Sequence, residues 1–169
     1  MTPPPVKGAG RITRLALLTA IALTIFLAEA QLPAPVPIQG VKLGLANIVT
    51  VCAVFSLGPG DALLILSARV VLGAVFSGQP STLLYSGAGG LLAWLSMAAL
   101  RPFLTRRSLW LCSPVAAIFH NLGQLLAAAW VMRTWVVMAY LPYLVLSGVL
   151  TGLFTGLCSQ FLLDRLEKL

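Results

Sequence analysis

The chain has 169 residues, 59% of them hydrophobic and only 9% charged, with a mean hydropathy of +0.98. Soluble domains carry about 25% charged residues, so this composition excludes a water-soluble fold, and the length leaves room for one domain. The formal net charge of +7 does not point to nucleic acid, because the cations stand at the ends of apolar runs and form no basic patch interleaved with aromatics.

Residues 1–10 hold Pro3, Pro4, Pro5 and two glycines and read as a flexible cytoplasmic tail. Residues 11–169 read as a single transmembrane domain. The first apolar run is 15–30, preceded by Arg11 and Arg14. It also fits a signal peptide with Ala28-Glu29-Ala30 as the cleavage site. At least four more apolar runs follow, so an uncleaved first helix is the simpler reading. Residues 31–40 contain Pro33, Pro35 and Pro37, which forbid regular helix and favour extended backbone. A second apolar segment covers 41–57, with Lys42 and Asn47 early in it. Gly58-Pro59-Gly60 is a turn, and Asp61 is a candidate N-cap for a third helix over 62–76. After a turn at 77–81, a fourth helix covers 82–104, with Gly87, Gly89 and Gly90 inside it. A basic loop with Arg101, Arg106 and Arg107 leads to a fifth helix over 109–132. A sixth covers 140–163.

The expected fold is therefore an all-α polytopic membrane bundle of six transmembrane helices, although the second and third are short for about 20 residues per span. With the N-terminus inside, eight cations (Lys7, Arg11, Arg14, Arg101, Arg106, Arg107, Arg165, Lys168) are cytoplasmic and two (Lys42, Arg133) are outside. This bias predicts cell-membrane residence with both termini cytoplasmic and the proline-rich loop facing out. Cys52, Cys112 and Cys158 lie in apolar segments without metal-ligand spacing and read as apolar fillers. No cofactor is expected.

Polar groups at membrane depth are costly and usually functional. Glu29, Lys42, Arg69, His120, Asn121, Gln124 and Arg133 are such groups, and Asn47 joins the candidate substrate-binding residues. His120 and Gln124 are four apart and share a helix face, with Asn121 at its edge. Three polar side chains in a turn and a half need partners that lipid does not offer, which favours an interior or ligand-facing network. Arg69 cannot shed its charge; Glu29, a ligand anion or backbone carbonyls are its candidate partners. Lys42 sits between glycines at a helix start, where backbone approaches a ligand closely and free N–H groups attract anions; a lysine snorkelling to the interface fits as well. Three cations against one acid (Lys42, Arg69 and Arg133 against Glu29) suggest an anionic or mixed-polarity ligand. Tyr85, Tyr140 and Tyr143 would suit an aromatic or isoprenoid one.

Ala16, Ala20, Thr24 and Ala28 recur every four residues, a spacing that lets another helix approach. Spacing alone leaves open whether that helix belongs to the bundle or to a partner. For the Gly148, Gly152, Gly156 stripe and the parallel Ser147, Thr151, Thr155, Ser159 stripe, packing within the bundle is the favoured reading.

The runs PIQGVKLGLANIVT, AAIFHNLGQLLAA and YLPYLVLSGVLTGLFTGL resemble the Gx transporter family, also called heptaprenyl diphosphate synthase component I. The likeness covers nearly everything after Arg11, and the VKLGLAN and HNLGQL runs are specific. That family in turn resembles the substrate-binding S-components of energy-coupling factor (ECF) transporters. The resemblance implies six helices, cytoplasmic ends, an outward site beneath the loop after the first helix, and a partner contact through an AxxxA pattern. Ala16 and Ala20 match that pattern, so the resemblance assigns Ala16, Ala20 and Thr24 to a partner face.

The expected function is a non-enzymatic subunit that captures a small solute outside. It would need ECF transmembrane and ATPase subunits, because no GxxxxGK[ST] motif occurs. The alternative is a membrane accessory component of heptaprenyl diphosphate or isoprenoid quinone synthesis. Autonomous prenyl transfer is not expected, since magnesium-diphosphate is held by clustered carboxylates and the four acids (Glu29, Asp61, Asp164, Glu167) form no DDxxD-like cluster. A passive membrane scaffold is a third option.

Overall fold

A computed structural model describes residues 8–32, 42–104 and 108–166. The expected proline-rich loop over 33–41, the tail over 1–7, and Arg106, Arg107 and Lys168 lie outside the described residues. Among those described, the chain forms six α-helices and a short 3-10 helix, with no strand. The helices are α1 (Ala9–Glu29), α2 (Asn47–Ser56), α3 (Pro59–Ser77), α4 (Ser81–Leu100), α5 (Leu109–Met132) and α6 (Leu141–Leu166), with the 3-10 helix Val136–Tyr140 before α6. Five segments are long and apolar enough to cross a membrane. Their outer faces display Leu17, Val75, Trp130, Leu150, Phe154 and Phe161, each more than half exposed. A surface of that kind belongs in lipid, and the chain is an all-α polytopic membrane protein.

Two expectations change in detail. Asp61 does not cap α3. Gly58 holds the N-cap position at φ 110 and Pro59 opens the helix, where its fixed φ suits the first turn. Asp61 instead stands in that first turn and accepts hydrogen bonds from Nε and Nη2 of Arg11. This ion pair joins the starts of α1 and α3. The second change is larger. The apolar run over 41–57 yields only ten helical residues, because Gly44 takes φ 82 and residues 42–46 turn before the helix begins.

Ten residues rise about 15 Å, half of a hydrocarbon layer of about 30 Å. Eight of the ten are buried. The long helices form an arc in the order α1, α3, α4, α5, α6, and α2 touches all five. It therefore plugs one end of the bundle, hereafter the near end, where α1, α3 and α5 begin. The far end holds the termini of α3 and α5 and the starts of α4 and α6.

The core is split accordingly. A near cluster gathers Val51, Val54, Ile65, Met97, Leu109 and Cys112 with their neighbours. A far cluster gathers Tyr85, Leu125, Ala128, Ala129, Val137 and Leu144. The glycine stripe on α6 lets α5 approach. A Cβ at Gly148 would meet Asn121, one at Gly152 would meet the Pro114 backbone, and one at Gly156 would meet Trp110. Ser113 and Thr155 share a buried hydrogen bond of 2.8 Å in the same seam, so both stripes on α6 serve packing. Cys52, Cys112 and Cys158 are free.

Candidate functional site: a polar layer in the membrane core

Between the two apolar clusters α1, α3, α4 and α5 change character. Along α5 the order is Ala116 in the near cluster, then His120 and Gln124, then Leu125 in the far one. On α4, Gly89 and Gly90 separate Tyr85 from Ala93. On α1, Phe26 and Glu29 follow Ala22, and on α3, Arg69 follows Ile65. Glu29, Asn47, Arg69, His120 and Gln124 are all buried. They form a layer at the level where α2 starts.

The layer is built around the turn at 42–46. Glu29, at the last position of α1, accepts the Gly44 N–H at 2.6 Å and the Leu45 N–H at 2.9 Å. Its carboxylate thus occupies the mouth of α2, where backbone donors lack helical partners. The Lys42 N–H donates to Oε1 of Gln124 at 3.2 Å, so the same turn is tied to α5. Gly44 answers two demands. Its φ of 82 is in the left-handed region that favours glycine, and a Cβ there would lie 2.8 Å from the His120 ring and 3.0 Å from Nδ2 of Asn47. Gly89 on α4 makes the matching cradle from the other side: its Cβ would meet the His120 carbonyl at 2.8 Å and Gln124 at 2.9 Å. The glycines inside α4 do not break the helix; they admit the polar side chains of α5.

Phe26 gathers the cations. Nζ of Lys42 is 3.7 Å from its ring centroid and the Arg69 guanidinium carbon 5.7 Å, both in the range of cation–π attraction. Gly73, one turn after Arg69, leaves room for that ring; a Cβ would fall 2.9 Å from it. Arg69 makes no ion pair with Glu29. Among the described residues the ion pair within 4 Å is that of Arg11 with Asp61, and both Glu29 oxygens serve the turn. The expected alternative of direct Arg69–Glu29 pairing is therefore not what forms.

Several buried polar atoms in the layer have no partner: both amide atoms of Asn47, Nε and Nη2 of Arg69, Nδ1 of His120 and Nε2 of Gln124. A buried donor or acceptor left unsatisfied costs about 1–3 kcal/mol, and native proteins keep few of them. Three helices, α2, α3 and α5, contribute to this one group.

The other candidate residues lie elsewhere. Asn121 turns toward α6 and donates to the Leu144 carbonyl at 2.7 Å, a bond across the helix seam. Tyr85 is buried in the far apolar cluster. Tyr143 is 55% exposed on the outer face of α6 and takes no part in the layer. Ala16, Ala20 and Thr24 are exposed on α1, so this stripe does not pack inside the bundle. Ala16 and Ala20 line a groove of about 530 Å³ between α1 and α3, with Leu23, Leu64 and Leu72 among its walls. Among the described residues no three His, Cys, Asp or Glu side chains come together as metal ligands would.

Sequence reasoning passed over Phe26, Gly73 and the roles of Gly89 and Gly90, and read Gly44 only as a flank of Lys42. Phe26 stands three residues before Glu29 and Gly73 four after Arg69, so helical spacing places each beside a singled-out charge. That was the available signal. No curated protein and no solved structure matches the chain. The model of the family described as heptaprenyl diphosphate synthase component I matches residues 18–162, nearly the whole of the six-helix bundle, and the chain belongs to that family.

Proposed function

We propose that this protein is an integral membrane substrate-binding subunit, S-component-like, that captures a small anionic or mixed-polarity solute from outside for ECF-type ATP-driven uptake. The observation that carries the reading is the unpartnered polar layer. Lys42, Arg69, Asn47, His120 and Gln124 converge where the half-length α2 starts, and the free hydrogen-bonding atoms of Arg69, Asn47, His120 and Gln124 are better explained by a ligand than by packing. Intramembrane ionisable groups mark substrate paths more often than structural ones. In this reading both termini are cytoplasmic in the cell membrane, and the far end faces outward. The exposed Ala16, Ala20 and Thr24 face meets an ECF transmembrane subunit, and a separate ATPase drives the cycle.

The test is native mass spectrometry of gently purified protein in nanodiscs. A small molecule retained at defined mass, and lost from an Asn47→Ala, His120→Ala double variant that still folds, is the expected result. Retention unaffected by those substitutions refutes the layer as the binding site.

The family's description favours a second reading, a non-catalytic accessory component of heptaprenyl diphosphate or isoprenoid quinone synthesis. The scattered acids argue against the chain acting as the prenyl transferase itself. Co-purification with a soluble prenyl synthase in place of ECF subunits would select this second reading.

A further inference from the structure

The unpartnered atoms of Arg69 have a pattern. Nε and Nη2 are the two nitrogens on one edge of the guanidinium, the edge that grips two oxygens side by side. Arg69 is 3% exposed, and this whole edge is vacant of partners. Arginine cannot lose its proton, so a buried fork of this kind keeps its charge and its unmet donors together.

Among the described residues no carboxylate is left to fill it. The chain has four acids in all. Glu29 spends both oxygens on Gly44 and Leu45, Asp61 is taken by Arg11, and Asp164 and Glu167 belong to the last six residues of the sequence. Residues 33–41, next to the site in sequence, read PAPVPIQGV and contain no charged side chain. The layer therefore holds two cations, Lys42 and Arg69, against one committed carboxylate. Gly90 lets α4 pack close beside the fork without a side chain in the way: a Cβ there would lie 2.7 Å from Leu66 and 3.5 Å from Nη2.

We infer that the layer recognises its ligand through one oxyanion, a carboxylate or a phosphoryl group, seated two-pronged on the Nε–Nη2 edge of Arg69 with Lys42 across the Phe26 ring as the second cation. The seated anion balances the charge of the layer and satisfies both free donors. The amide of Asn47, Nδ1 of His120 and Nε2 of Gln124 then meet the neutral polar part of the same molecule. This inference rests on the layer being a ligand site and adds the chemical class of the group bound there.

The test uses the full chain in nanodiscs, unfolded thermally with 20 mM sodium acetate, inorganic phosphate or acetamide, sodium chloride holding ionic strength constant. A site with a dissociation constant of about 2 mM raises the folded-to-unfolded ratio roughly tenfold, a shift of about 3–5 °C for a chain of this size. Acetate or phosphate should give that shift, and acetamide, the uncharged shape of acetate, should not. The larger response assigns the natural group as carboxylate or phosphoryl. Arg69→Gln should abolish the shift. Should that variant not fold, Arg69→Lys keeps the charge without the fork and should lose more than half of it. An equal response to acetamide, no response to either anion, or an undiminished response in the Arg69 variants overturns the inference. If a small molecule is still retained in native mass spectrometry while the anion response is absent, the site stands and only its anionic character falls. If both are absent, both readings fall.

Discussion

Glu29 offers the most direct test of how the site is built. Replacing it with glutamine keeps the shape but leaves one carbonyl oxygen where two carboxylate oxygens served Gly44 and Leu45 at 2.6 and 2.9 Å. The amide nitrogen must then face a backbone N–H, donor against donor. Hydrogen bonds to charged groups are worth about 1.5–3 kcal/mol each, and at least one is lost outright. Local opening of the 42–46 turn should become easier by that amount, or roughly ten- to a hundred-fold in exchange rate. Hydrogen exchange read by mass spectrometry on a peptide covering residues 42–50 is the assay, with peptides from α5 and α6 as internal controls. Faster exchange confined to the turn is the expected result. An unchanged rate in the turn would show that the carboxylate does not hold it. A uniform loss of protection across all helices would show that Glu29 supports the bundle as a whole.

Gly44→Ala forces a Cβ within 2.8 Å of His120 at a positive φ and should cost about 1–3 kcal/mol of strain, read as a lower unfolding temperature and weaker ligand retention. Ala16→Leu with Ala20→Leu should leave the unfolding temperature of the isolated protein unchanged, since both positions are exposed. It should abolish co-purification with an ECF-type transmembrane subunit; a loss of folded protein instead would argue that α1 packs within an oligomer of this chain. On a cysteine-free background, Pro35→Cys should be labelled from outside intact cells and Arg106→Cys only after permeabilisation. Labelling of both from the same side would overturn the orientation read from the charge bias.

The helices were legible because each long span is a run of apolar residues bounded by turn residues or charges, and those signals are local. Their ends were less so. The run at 41–57 looked like a span because hydropathy counts residues and is blind to φ; nothing in the composition of Val41 to Ala46 says that Gly44 turns left-handed to present its N–H to Glu29. Asp61 read as a cap because caps are judged within one helix, whereas its partner Arg11 lies 50 residues away. Cost alone singled out Glu29, Lys42, Arg69, His120 and Gln124, since each needs a partner at membrane depth. What cost could not reveal was the sorting of neighbours. Asn121 is adjacent to His120, yet it points across a different seam to Leu144. The glycines that shape the layer were visible in the sequence, but their meaning depends on which side chain each one faces.

Arg69 decides between a site and a strut by the sign of one measurement. Arg69→Met removes a charge whose burial at the centre of a membrane helix costs about 2.5–3.5 kcal/mol. It also forfeits the attraction to Phe26, worth about 0.5–2 kcal/mol. The apolar stem beside Leu66 and Gly90 is replaced by one of similar reach, so packing changes little. The difference leaves the ligand-free protein as stable as before or more stable by up to about 3 kcal/mol. A strut behaves oppositely: where a buried charge is paired, breaking the pair costs about 3–5 kcal/mol. Unfolding of ligand-free Arg69→Met in nanodiscs separates the two outcomes, and a loss of that size would refute the vacancy of the fork. A gain or no change would mean that the folded state carries an arginine it does not need for folding, because the partner that satisfies its edge comes from outside the chain.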